Sequence, residues 1–105
     1  MRKGFGARLS AFVSVFLLSL WLSACGRNAE IEVPALVKQL QSKESSERNR
    51  AALRLASYGK SAKAAVPALI ERLQDANGGV RSSAAYALRE IDTPEAQNAL
   101  KRYVK

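Results

Sequence analysis

The chain has no histidine and a single cysteine, Cys25, among its 105 residues. Those two counts remove most site chemistry. A Ser-His-Asp or Cys-His nucleophile pair, a zinc site and a His-ligated haem each need residues that are not there. A disulfide within the chain is excluded because Cys25 has no partner. Acidic residues are scarce as well: 9 Asp+Glu stand against 17 Lys+Arg, for a formal charge of +8, and none precedes Glu30. Gly78-Gly79 lacks the spacing and the following Lys-Ser or Lys-Thr of a phosphate loop, and reads as a turn. Asp75, Glu90, Asp92 and Glu95 fall near helix ends or on polar faces, where capping and solvation account for them. No strand pattern is found beyond the first 25 residues. The chain is read as non-enzymatic, with no catalytic, cofactor-binding or metal-binding residues.

What is present begins with an address. Arg2, Lys3 and Arg8 precede an apolar run from Leu9 to Leu22. At about 14 residues that run fits a secretory h-region and falls short of the roughly 20 needed to span a bilayer. Leu22-Ser23-Ala24-Cys25 follows at once. This string resembles the lipobox of bacterial lipoproteins, in which small residues admit a peptidase and the cysteine becomes an acylated N-terminus. The resemblance implies a signal peptide over 1–24, lipid attachment at Cys25, and a tether over 25–30. Gly26 rather than aspartate follows the cysteine. In that family this implies transport to the outer membrane, facing the periplasm of a bacterial envelope.

From residue 31 to 105 the chain repeats itself. Val33-Pro34-Ala35-Leu36 recurs as Val66-Pro67-Ala68-Leu69, and Arg48, Ala51, Ala52 and Leu55 recur as Arg81, Ala84, Ala85 and Leu88 without a gap. Val33, Leu36, Val37 and Leu40 have the i, i+3, i+4, i+7 spacing of a helix, as do Val66, Leu69, Ile70 and Leu73. Second helices carry Ala51, Ala52, Leu55 and Tyr58, then Val80, Ala84, Leu88 and Ile91. Turn residues separate them at Ser42–Ser46 and Asp75–Gly79, and Gly59 is placed to cap the first unit. Thr93-Pro94-Glu95 opens a fifth helix with an N-cap, an N1 proline and an acid at the positive dipole end. Each first helix carries an early proline. In the second unit Asp75 precedes Arg81 by six residues, and a small-residue pair precedes each leucine.

These features resemble HEAT-like repeats. The resemblance implies an all-α fold: a short α-solenoid of helical hairpins, about two and a half repeats in five helices. It implies that Arg81 pairs with Asp75, and it leaves Arg48 without that partner because Ser42 stands at the aspartate position. Second helices line the inner face of such solenoids. A partner-binding surface is therefore expected at Arg50, Arg54, Tyr86 and Arg89. Arg50 and Arg54 are singled out because Ser83 and Ala87 occupy the equivalent places.

The function expected is a lipid-anchored protein-protein interaction scaffold, bound to the membrane through Cys25 and to a protein partner. The alternative is an accessory or chaperone-like subunit of an enzyme, or a lyase-like protein that handles a cofactor. Nucleic acid is not expected as a partner, since export places the chain away from it. The leader makes a direct prediction. Mass spectrometry of the N-terminal peptide finds acyl chains on Cys25, and Cys25→Ser leaves an unprocessed precursor; an unmodified thiol after export overturns the reading.

Overall fold

A computed structural model describes residues 28–104. Cys25 and the leader lie outside the described residues. The chain is already helical at residue 28, so α1 spans residues 28–39. Asn28, Ala29 and Glu30 therefore belong to this helix and not to the tether expected there. Then come α2 (Ser45–Tyr58), a 3-10 segment (Gly59–Ala65), α3 (Val66–Arg72), α4 (Gly78–Ile91) and α5 (Pro94–Val104). No strand occurs among the described residues. No helix among them is long and apolar enough to cross a membrane. The architecture is a short all-α solenoid.

Local sequence sets the boundaries. Asn77 caps α4 by accepting the Val80 N–H at 3.1 Å, so α4 starts at Gly78, inside the stretch read as a turn. Gly59 ends α2 at a φ of 56°, where a Cβ would be strained, and its N–H bonds back to the Ala56 carbonyl. Its repeat equivalent, Asp92, ends α4 in the left-handed conformation at a φ of 54°. The Ala96 N–H donates to Thr93 Oγ1 at 3.2 Å, so Thr93 caps α5 as expected. The 3-10 segment was not foreseen. Pro67 sits in the first turn of α3. It offers no N–H, a loss tolerated in a helix's first turn.

The repeat period becomes a packing order. α4 packs against α2, α3, α5 and the 3-10 segment, so it is enclosed. It buries Val80, Ser83, Ala84, Ala85, Ala87, Leu88 and Ile91. In α2 the buried set is Ala51, Ala52, Leu55 and Ala56. Paired alanines let the helix backbones approach, and Leu36, Leu40, Leu55, Leu69 and Leu88 fill the space between them in one continuous core.

A polar junction fastens one repeat to the next, and it differs from the expected one. Arg48 of α2 reaches across to Asp75, with Nε to Oδ2 and Nη2 to Oδ1 both at 2.9 Å. Its Nη1 donates to the carbonyls of Ser42 and Lys43 at 2.8 and 3.0 Å. Arg81 repeats only the second half of this pattern, donating to the carbonyls of Asp75 and Ala76. The carboxylate thus pairs with the arginine of the preceding repeat, because Arg48 spans the groove between α2 and the α3–α4 turn while Arg81 folds back on its own turn. Arg72 Nη1 and the Asn77 N–H also donate to Asp75, at 3.1 and 2.9 Å. The Asp75 side chain is 2% exposed. A carboxylate in that position needs such partners, since an unpaired buried charge is costly.

Two predictions follow the core and the junction. Leu69→Ala or Leu88→Ala empties a fully buried site and should cost about 2–5 kcal/mol, measured by chemical denaturation. Hydrogen bonds from Arg48 lead the effects that hold the Asp75 carboxyl below the usual carboxylate range. Its stabilising contribution is therefore complete above the unfolded-state value and is lost as pH falls through the folded-state value. Asp75→Asn should lower the melting temperature at neutral pH, with the difference from wild type shrinking below about pH 4. An equal difference at both pH values would remove the ion pair from the stability of the fold.

Candidate protein-interaction surface

The expected binding residues fall in separate places. Ser83 of α4 donates its hydroxyl to Asn49 Oδ1 of α2, so the α4 face carrying Ser83 and the buried Ala87 turns toward α2. Arg50 and Arg54 are one period earlier on α2, and the same face there has no repeat in front of it among the described residues. Both are exposed and look back along α1, where they line a depression with Glu32, Ala35, Leu36 and Gln39. Arg54 Nη2 pairs with Glu32 Oε2 at 2.9 Å. The Tyr58 hydroxyl also donates to Glu32. Those bonds, Tyr58's first and Arg54's second, hold the Glu32 carboxyl below its ordinary value, and the same contact raises the Tyr58 phenol.

Among the described residues Arg50 and Arg54 therefore lie at one end of the stack, beside α1, apart from Tyr86 and Arg89. Their charge keeps solvated a surface that repeat packing would otherwise cover. The contrast with Ser83 and Ala87 matches a difference of position in the array: the α4 pair faces α2, while no described repeat faces the α2 pair. Arg89 lies toward the other end. It borders an open depression of about 700 Å³ with Gln97, Leu100, Lys101 and Val104 of α5.

Tyr86 is 46% exposed on α4. Its repeat equivalent on α2 is Leu53, which is 45% exposed and was not singled out from the sequence. The signal existed, since Leu53 falls off the Ala51, Ala52, Leu55 stripe and aligns with Tyr86 in the repeat. Around this pair run Asn49 and Ser57 on α2, and Ser82 and Glu90 on α4, which occupy matching rows. Because α2 and α4 pack side by side, the rows form one ribbon of surface with a large apolar side chain from each helix at its middle. Half-exposed Leu and Tyr side chains there can lose area to a partner without any change in the core.

A family model described as HEAT repeats matches residues 33–105. Comparison with curated proteins gives no match. The match begins at Val33, where the apolar pattern begins, and takes in both hairpins and α5. HEAT repeats commonly act as scaffolds for protein interactions. With its internal period, paired hairpins and cross-repeat Arg48–Asp75 junction, the chain belongs to the HEAT-repeat family.

Proposed function

We propose that the protein is a non-enzymatic interaction scaffold, held by acyl chains on Cys25 at the periplasmic face of a bacterial outer membrane. The observation that carries the scaffolding role is the ribbon with Leu53 and Tyr86 half-exposed at equivalent positions of packed neighbouring helices. A rigid repeat array presents such a ribbon with fixed spacing, so little ordering entropy is lost on binding. The anchoring role is supported by the basic leader, the short apolar run and Leu22-Ser23-Ala24-Cys25. Acyl chains add about 0.8 kcal/mol of membrane affinity per buried CH₂, and stable attachment takes more than one chain. The partner is a protein of the envelope, which an apolar ribbon bordered by Asn49, Ser57, Ser82 and Glu90 would meet through a central contact and a polar rim.

Cross-linking and affinity capture from envelope extracts test this with three forms of the full chain. Leu53→Asp with Tyr86→Asp should abolish capture of a stoichiometric protein partner while leaving helicity intact, since both side chains lie outside the core. Arg50→Glu with Arg54→Glu should retain it, because those residues lie at one end of the stack, beside α1. Capture that survives the first pair and fails with the second would move the interface to the α1–α2 end. A co-purifying pigment or other small molecule in place of a protein would favour the cofactor-handling role.

A further inference from the structure

We infer that one pole of the helical stack, formed by the start of α1 and the 3-10 segment, rests on the bilayer with Lys60 and Lys63 against anionic lipid headgroups. The inference depends on the acylation of Cys25 proposed above. Given that anchor, covalent geometry limits the rest. Three residue steps separate Cys25 from residue 28, and a fully extended chain covers at most about 11 Å in three steps. Residue 28 is already in α1, so the folded domain cannot stand off on a long leash.

The antiparallel hairpin decides which surface is brought down. Tyr58, at the end of α2, donates to Glu32 in α1, so the end of one helix lies beside the beginning of the other. Ser61 and Ala64 of the 3-10 segment then line an open groove with Ala29, Glu30, Val33 and Pro34 of α1. The segment Gly59–Ala65 is thereby fixed next to the point where the anchor enters. It reads GKSAKAA, with two exposed lysines and no acid. Neither Lys60 nor Lys63 takes part in an ion pair among the described residues. Ile31, 68% exposed in the first turns of α1, adds an aliphatic side chain at the same pole.

The other charges at this pole set the tilt. Glu32 is engaged by Arg54 and Tyr58, and Glu30 is the exposed acid beside the groove. Glu90, Asp92 and Glu95 lie at the α4–α5 turn, which borders the 3-10 segment: the Glu90 carbonyl is 3.9 Å from where a Cβ on Gly59 would stand. An anionic surface attracts the first edge and repels the second, and both effects decay within a Debye length of about 8 Å. The balance of the two tilts the pole so that the edge with Lys60 and Lys63 is the one pressed to the lipid. The opposite pole, with the α1–α2 and α3–α4 turns, stands roughly 20 Å farther out, the length of a 14-residue helix.

The test uses the full acylated chain in phosphatidylethanolamine–phosphatidylglycerol vesicles that contain a headgroup-spin-labelled lipid. A fluorophore is attached at Ser61→Cys or at Ser46→Cys, two exposed positions at opposite poles. Quenching should be several-fold stronger at Ser61→Cys, and should fall toward the Ser46→Cys level when Lys60→Glu and Lys63→Glu are added. Equal quenching at the two positions, or stronger quenching at Ser46→Cys, overturns the inference while leaving the anchor in place. Unchanged quenching with both glutamates removes the lysines from the contact. Mass spectrometry of the same samples separates these outcomes from failure of the anchor, since an unacylated Cys25 overturns both.

Discussion

Asp75 is the joint on which the arrangement depends. A helical hairpin of this size cannot bury its apolar stripe alone, so each repeat is stable only when the next is held against it. Apolar packing supplies most of the free energy but is tolerant of register, whereas a bidentate arginine–carboxylate bond is not. Arg48 fixes Asp75 from the preceding repeat, Arg72 from the helix before it, and the Asn77 N–H from the turn after it. One carboxylate therefore ties α2, α3 and the lead into α4 at a single point. Asn77 caps α4 within the same turn, so the start of the most enclosed helix is set by residues adjoining the junction.

Much of this was legible in the sequence because a repeat states its own alignment. The helical spacing of Val33, Leu36, Leu40 and of Val66, Leu69, Leu73 identified core positions that the structure buries. Thr93 and Gly59 marked helix ends by chemistry that needs no tertiary context. What a period cannot express is which neighbour is present. It equates Arg48 with Arg81, and the family resemblance assigned Asp75 to Arg81 where the structure pairs it with Arg48. It contrasted Arg50 and Arg54 with Ser83 and Ala87 without showing that the first pair faces an end and the second pair a neighbour. The 3-10 segment escaped for another reason. The equivalent proline, Pro34, lies within α1, so neither the proline nor the apolar pattern marks Gly59 to Ala65 as a 3-10 segment.

The candidate surface shows the same division. Tyr86 and Leu53 are matched by the period, and side-by-side packing of α2 and α4 turns that sequence match into a continuous patch. Arg89 was grouped with them by its place on a second helix. Its repeat equivalent is the buried Ala56, however, which shows that this position points along the stack and not out of the ribbon. A residue's role here follows from whether its direction meets another repeat, solvent or an end.

The charged face of α2 bears on how such molecules avoid each other. Helical arrays of this kind are open at both ends, and an end that resembles the junction between repeats is a template for head-to-tail growth into fibres. Ser83 and Ala87 are what that junction accepts: a small hydroxyl bonded to Asn49 and a methyl group. Arg50 and Arg54 present two long cations in the same register, one already committed to Glu32. A second copy arriving by its α4 side would have to bury the charge of Arg50 together with the Arg54–Glu32 pair, a cost that disfavours growth at this end. Separate copies would then keep their ribbons uncovered.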